Sequence, residues 1–176
     1  MAEYDAIVIG TGQAGPPLAI RLGDAGRKTA IVERKLIGGT CVNVGCIPTK
    51  TLIASARAAH VARRAADFGV VLDGPVRVDM AQVKVRKDAI VAQSNANVAK
   101  WIRKAPNVTL IEGHARFEGP RSVRVGERLL EAPKIFINVG ARAAVHGVDG
   151  LADVRYFTNT GMMGVDFVPN HLLIVG

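Results

Sequence analysis

Tyr4-Asp5-Ala6-Ile7-Val8-Ile9-Gly10-Thr11-Gly12-Gln13-Ala14-Gly15 is the stretch on which the fold turns. Its first half is an apolar run of strand length, the character of a strand buried on both faces. Its second half is a G-x-G-x-x-G loop. Leu18, Ala19, Leu22 and Ala25 then recur at helical spacing, and Gly26 stands where a C-terminal cap is expected. Lys28 to Val32 reads as a second strand, closed by Glu33. A strand–helix–strand unit of about thirty residues is the size of one parallel crossover.

Each part of the loop answers a physical need. Gly10 permits the tight turn, Gly12 lets the backbone approach a pyrophosphate, and Gly15 allows close helix–strand packing. The unpaired N–H groups and positive dipole end of the helix then face the anion. Glu33, 18 residues after Gly15, is placed to accept hydrogen bonds from ribose hydroxyls, and its charge would repel a ribose phosphate. The loop predicts a dinucleotide without saying which one. Pro16-Pro17 fits a first helical turn, although Pro16 removes an N–H there.

Composition sets the outer limits. The chain has 176 residues, 49% apolar and 22% charged, enough for one domain with a hydrophobic core. No apolar run approaches bilayer length. Met1-Ala2-Glu3-Tyr4-Asp5 carries acids where a secretory signal has bases, so a cytoplasmic protein is expected, with no membrane partner. The net charge of +8 invites a nucleic-acid reading. The bases Arg57, Arg63, Arg64, Lys84, Arg86 and Lys87 are instead spread through helical stretches without interleaved aromatics, which predicts solvated helix faces and no nucleic-acid partner.

Further along, a loop over 34–44 leads into a helix from about Cys46–Pro48 to Ala66. A second helix spans Asp79 to Lys104, with Asp79 as N-cap and Pro106 as its stop. Val108 to Glu112, Ala115 to Glu118, Ser122 to Val125, Arg128 to Glu131 and Lys134 to Val139 read as short strands of a small meander. The Gly-, Pro-, Asp- and Asn-rich segment that follows predicts a surface linker. Leu172-Leu173-Ile174-Val175-Gly176 repeats the pattern of Ala6 to Gly10 and reads as the opening strand of a second dinucleotide fold.

Both cysteines lie in Gly38-Gly39-Thr40-Cys41-Val42-Asn43-Val44-Gly45-Cys46-Ile47-Pro48-Thr49-Lys50. Two thiols cannot complete a four-ligand zinc site within the chain, and no metal site is expected. A structural disulfide is disfavoured in a reducing cytoplasm. A redox-active pair needs its sulfurs close, and Gly45 frees the backbone to bring them together. Cys46 at a helix start, with Lys50 one turn on, has an environment that favours thiolate. Two inert buried thiols would also fit the spacing.

The window from Gly38 to Lys50 resembles the redox signature of the class I flavoprotein disulfide reductases, which include dihydrolipoamide dehydrogenase, glutathione reductase and mercuric reductase. Gly113-His114-Ala115-Arg116-Phe117 and Ile135 to Gly140 look like later pieces of the same domain. The resemblance implies an α/β fold: a Rossmann-like FAD-binding domain of parallel sheet, helices and a small antiparallel meander, here incomplete. It implies an FAD-binding domain with redox disulfide over 1–150, a linker over 151–170, and the first strand of a truncated NAD(P)-binding domain over 171–176. Gly10, Gly12, Ala14 and Gly15 would line the FAD pyrophosphate, Glu33 would hold the adenosine ribose, and Gly39, Thr40 and Gly140 would lie along the dinucleotide. Cys46 would be the sulfur beside the flavin, Cys41 the outer sulfur that attacks substrate, and Lys50 a cation near the reduced ring. His114 and Ala115 would meet the adenine end through backbone groups, His114 acting as a loop residue and not as a base; His60 and His146 receive no role.

The same resemblance implies an enzyme passing electrons from NAD(P)H through FAD to a Cys41–Cys46 disulfide, and on to a small-molecule disulfide or metal ion. It implies a homodimer for the full-length protein and an inactive fragment for this chain alone. Asn138-Val139-Gly140-Ala141 departs from the Ala-Thr-Gly-Ser usual in relatives, and with the Met162-Met163 region it resembles the mercuric-reductase-like or dihydrolipoamide-dehydrogenase-like branch. A plain NAD-dependent dehydrogenase would explain the loop but give the cysteines no purpose. A non-catalytic flavin-binding redox module is the rival from another class.

Overall fold

Ala6, Ile7 and Val8 are buried in succession, as are Ala30, Ile31 and Val32, because both faces of their strands are covered. A computed structural model of the chain describes residues 2–145 and 147–175; His146 and Gly176 lie outside the described residues. After a short strand β1 (Ala2–Glu3) come β2 (Ala6–Ile9), helix α1 (Gly15–Asp24) and β3 (Thr29–Glu33). Helix α2 (Gly39–Asn43), helix α3 (Cys46–Arg63), one 3-10 turn (Ala65–Phe68) and helix α4 (Met80–Lys104) follow. Five strands complete the core: β4 (Val108–Glu112), β5 (Ala115–Gly119), β6 (Ser122–Val125), β7 (Arg128–Glu131) and β8 (Lys134–Ile137).

A four-stranded parallel sheet has the order β4-β3-β2-β8, with Ile7 opposite Ala30 and Ile135, and Ile31 opposite Leu110. The period-2 alternation of side chains splits its core into two layers. Val8 and Ile31 pack with Ala19, Ala99 and Ile102 of α1 and α4. Ile7, Ala30 and Val32 pack with Val123, Val125 and Leu130 of the second sheet. Burying each such Ile, Leu or Val contributes about 1.5–3 kcal/mol. That second sheet is β1-β7-β6-β5, an antiparallel β5-β6-β7 meander with β1 added parallel to β7.

Two expectations are corrected. Only three of the five short strands form the meander; β4 and β8 join the parallel sheet, on opposite sides of the β3-β2 pair. Extended segments of four or five residues carry no local signal of which sheet they will join. The loop before the cysteine helix contains α2, a single turn closed by the N–H of Val44 on the carbonyl of Thr40. The segment over 151–170, expected as a linker, contains a 3-10 turn at Leu151–Asp153 and a helical turn, α5, at Asn159–Met162. Residues 172–175 are not paired in a strand here, and Leu173 and Ile174 are 78% and 79% exposed. A strand requires a neighbouring ladder for its N–H and C=O groups, and no described strand pairs with this segment.

Asp79 caps α4 as expected, accepting from the N–H of Gln82 at 3.0 Å. Helices α3 and α4 are joined by Arg86, which donates to the carbonyl of Thr51 at 3.1 Å and to the hydroxyl of Ser55 at 3.2 Å. Neither helix is long and apolar enough to cross a membrane, nor is any other among the described residues.

Candidate functional site at the carboxyl edge of the parallel sheet

Parallel strands bring their C-terminal ends to one edge, and ligands of such sheets bind in the crevice outside it. Here β2 runs into Gly10, β3 ends on Glu33, β4 runs into Gly113 and His114, and β8 runs into Asn138 and Gly140. The edge is stitched together by backbone bonds: Gly10 N–H to Val32 O (2.7 Å), Gly113 N–H to Glu33 O (2.8 Å) and Asn138 N–H to Ile9 O (2.8 Å). Residues from four separate parts of the sequence therefore meet here.

The glycine loop uses its glycines as the spacing requires. Gly10 has φ +106°, and a Cβ on it would lie 2.1 Å from the carbonyl oxygen of Asn138. A Cβ on Gly15 would lie 2.1 Å from the carbonyl oxygen of Gly10. The Gly15 N–H closes a turn on Gly12 O at 2.9 Å, while the N–H groups of Gly12, Gln13 and Ala14 have no backbone acceptor among the described residues. These three donors, in front of the N-terminus of α1, can cradle an anion. Pro16 and Pro17 occupy the first turn of α1 and bring no N–H to it, so the donors sit in the loop and not in the helix.

The Glu33 carboxylate is held in place at the end of β3. Its Oε2 accepts from the Thr11 hydroxyl (2.6 Å) and the Thr11 N–H (3.0 Å), and its Oε1 accepts from the Lys35 N–H (3.0 Å). Burial pushes its carboxyl up, but the hydrogen bonds from Thr11, Lys35 and Arg34 outweigh that and leave it below its ordinary range. An ionised acceptor is what ribose hydroxyls need.

The cysteine segment crosses directly over the loop. A Cβ on Gly39 would lie 2.6 Å from the Cα of Gly12, and Gly39 has φ +62°, so only glycine allows this approach. The turn from Cys41 to Cys46 depends on Gly45, where a Cβ would lie 2.9 Å from Thr40 O and 3.3 Å from the Cα of Cys41. Both cysteines are unbonded, Cys41 half-buried and Cys46 exposed at the first residue of α3. The Cys46 thiol beside it and burial push the Cys41 thiol up, against the opposing pull of the Cys46 N–H and the Lys50 ammonium. Cys46 and Lys50 thus both act on the Cys41 thiol.

Thr40 and Lys50 are exposed on α2 and α3. His114 is exposed on the loop after β4, with Ala115 opening β5. Gly140 has φ +68° and nothing within 4 Å of the position a Cβ would take.

Three residues in this region, Thr11, Asn138 and Asn95, were given no site role by the sequence. Thr11 is 1% exposed and joins the loop to Glu33. The Asn138 carboxamide donates to the carbonyls of Gly10 (3.3 Å) and Gly12 (3.4 Å), so the departure at this position adds a tie to the loop. Asn95 of α4 donates to Ile37 O (2.6 Å) and to the Asn43 side-chain oxygen (3.1 Å), while Asn43 donates to Ile37 O and Gly39 O, both at 2.9 Å. Only Asn138 had a signal in the sequence, as a departure from the expected pattern.

Among the curated proteins, dihydrolipoyl dehydrogenase of Acholeplasma laidlawii is 32% identical over 99% of this chain and 53% of its own length. Mercuric reductase of Lysinibacillus sphaericus is 31% identical over 99% of the chain and 32% of its own. The probable pyridine nucleotide-disulfide oxidoreductase RclA of Escherichia coli is 33% identical over 100% of the chain and 37% of its own. The chain therefore spans about a third to a half of the length of these relatives. Among solved structures, the HOCl-induced flavoprotein disulfide reductase RclA from Escherichia coli superposes with a TM-score of 0.77 at 32% identity, covering 96% of this chain and 35% of that one. The sequence profile of the pyridine nucleotide-disulphide oxidoreductases matches residues 4–176. With the glycine loop, the acid at the end of β3 and the paired cysteines at one sheet edge, the chain belongs to the pyridine nucleotide-disulphide oxidoreductase family.

Proposed function

We propose that this chain supplies the FAD-binding and dithiol part of a flavin-dependent disulfide reductase whose substrate is a small-molecule disulfide or a metal ion. One observation carries the proposal: the contact between Gly39 and Gly12 lays the cysteine segment on the nucleotide loop. A plain dehydrogenase would have no use for that crossing. The residues present fit a dinucleotide. The Gly12, Gln13 and Ala14 N–H groups, which have no backbone acceptor among the described residues, would serve the pyrophosphate, and Glu33, held below its ordinary range, would accept from the ribose.

When bound, FAD supplies two-electron exchange between a nicotinamide nucleotide and a dithiol. The chain's own part is binding and thiol exchange. Gly10, Gly12, Ala14 and Gly15 would hold the pyrophosphate, with Gly39, Thr40 and Gly140 along the dinucleotide and His114 and Ala115 at its adenine end. Cys41, as thiolate, would attack a substrate disulfide and release one thiol. Cys46 would then attack the Cys41 sulfur of that mixed disulfide, release the second thiol and leave a Cys41–Cys46 disulfide. Lys50 would favour the thiolate form of the pair.

The nicotinamide site, the dimer interface and the acid–base groups for substrate protons are assigned to parts of the protein outside this chain, which therefore does not turn over NAD(P)H by itself. The working protein is proposed to be a cytoplasmic homodimer.

The test is spectroscopic. Purified chain is mixed with FAD and reduced anaerobically in steps. A flavin spectrum with a long-wavelength thiolate-to-flavin band, absent in Cys46→Ser, is expected. Bound flavin with no change in Cys46→Ser would leave a flavin module without thiol chemistry, and a protein that binds NAD but no flavin would favour the dehydrogenase.

A further inference from the structure

Thr11 lies between the first two glycines of the loop, at the variable position of the motif, and is among the most deeply buried polar residues described. All of its hydrogen-bonding capacity on this side is committed. Its hydroxyl accepts from the Gly38 N–H at 3.1 Å and donates to Glu33 Oε2 at 2.6 Å, and its own N–H donates to the same oxygen at 3.0 Å. A hydroxyl has one hydrogen to give. With a lone pair taken by Gly38, that hydrogen is directed to Glu33. One side chain thus joins the nucleotide loop, the acid at the end of β3 and the glycine that begins the cysteine segment.

We propose that Thr11 is a positioning residue of the nucleotide site, fixing the Glu33 carboxylate to receive a ribose diol and holding the Gly38–Gly39 turn in register over Gly12. The inference rests on the proposed binding of a dinucleotide at this loop. A carboxylate offers about four lone-pair sites. Thr11 donates twice to Oε2 and the Lys35 N–H donates to Oε1, so both oxygens are held in place, and the carboxylate's remaining acceptor capacity is what the ribose would use. Without the Thr11 hydroxyl, Oε2 loses its shortest donor and the carboxylate is free to rotate away from the crevice. The Gly38 N–H loses its acceptor at the same time. Because Gly38 (φ +98°) and Gly39 (φ +62°) are glycines with wide conformational freedom, the turn relies on such a tie to stay in this left-handed conformation.

Thr11→Val keeps the volume and removes the hydroxyl; Thr11→Ser restores the hydroxyl; Thr11→Ala is a smaller replacement should valine misfold. Two readouts on the full chain decide the question. In the flavin-free protein, the Glu33 side-chain carboxyl is titrated by carbon NMR. In the same preparations, FAD affinity is measured by flavin fluorescence across pH. Thr11→Val and Thr11→Ala are expected to move the Glu33 titration upward and to weaken FAD binding about ten- to a hundredfold, the loss typical of a hydrogen bond to a charged group. The acid weakening of FAD binding should begin at higher pH, and Thr11→Ser should reverse all three effects. An unmoved Glu33 titration in both variants overturns the proposal, as does a loss of affinity that serine fails to restore. If the wild-type chain binds no FAD, the flavin proposal fails, while the Glu33 titration still decides whether Thr11 holds the carboxylate.

Discussion

At the residue scale, the fold sets the protonation of one acid, Glu33, and one thiol, Cys41. The folded-state titration of Glu33 lies below its ordinary value of 4.5, because its hydrogen bonds exceed the cost of burial. A group depressed in the folded state contributes stability above its unfolded value, and that contribution is lost as pH falls through the folded value. Glu33→Gln removes the titration. The difference in melting temperature between wild type and Glu33→Gln is therefore expected to be widest near neutral pH and to narrow below about 4.5. Melting curves in acid and at neutrality check this, and a difference that widens in acid would contradict it.

The cysteines make a second residue-scale case. Cys46 is exposed, while Cys41 is half-buried with its thiol pushed up by Cys46 and by burial. Thiolate is the alkylated species. In the flavin-free chain, iodoacetamide near neutral pH should therefore modify Cys46 before Cys41, as read by peptide mass mapping. Saturating FAD should slow labelling of Cys46 more than that of Cys41, since Cys46 is assigned to the flavin side. Equal protection of both would remove the basis for giving the two sulfurs different roles.

Residue roles were legible where chemistry and spacing coincide, as in the glycine loop, Glu33 and the cysteine pair. Thr11, Asn95 and Asn138 were not, because their partners lie 22, 58 and 128 residues away in sequence. No local pattern reports a contact made through the fold.

At the element scale, the helices were legible and the sheet assignments were not. Asp79 before an apolar period and Pro106 after it bound α4 closely, since caps and breakers act on the local backbone. By contrast, β4 and β8 look like the meander strands beside them; only the long-range pairing Ile31–Leu110 and Val8–Phe136 separates them. The turn α2 has no side-chain cap and lies in a glycine-rich loop, so nothing local announces it. The segment after β8 also owes its place to a tertiary contact. Lys87 of α4 is 5% exposed, pairs with Asp88 at 2.5 Å, and donates to the carbonyl of Met163 at 2.6 Å. Met163 also reaches α3 through a contact of its sulfur with the Thr49 hydroxyl. Lys87→Met keeps much of the side chain's bulk but removes the donor, leaving the Met163 carbonyl without it. We expect a loss of about 1–3 kcal/mol, the cost of an unsatisfied buried polar group. Proteolysis around α5 should accelerate several-fold with helical circular dichroism unchanged. An unaltered cleavage rate would mean that other contacts hold the segment.

At the scale of the whole molecule, the described residues form one parallel sheet, and a doubly wound sheet offers its crevice where the strand order reverses. Crossovers leave β2 toward β3 on one side, and β8 lies on its other side, so the glycine loop after β2 sits at that reversal. The apolar segment over 172–175 that resembles β2 in sequence forms no second sheet among these residues. With the nicotinamide site proposed to lie elsewhere in the protein, an external thiol would reach the pair through Cys41, the sulfur assigned to the substrate side. Electrons should accordingly enter the FAD-loaded chain from the dithiol side alone. After oxidation of Cys41 and Cys46 to the disulfide, excess dithiothreitol under anaerobic conditions should bleach the flavin. The external dithiol becomes a cyclic disulfide as the protein dithiol is restored, and giving that electron pair to bound FAD would re-form the Cys41–Cys46 disulfide. NADH or NADPH at the same concentration should bleach it far more slowly, and Cys46→Ser should abolish the dithiol route. Rapid bleaching by NADPH in the Cys46→Ser chain would show hydride reaching the flavin without the cysteines, and the division of labour proposed for this domain would have to be abandoned.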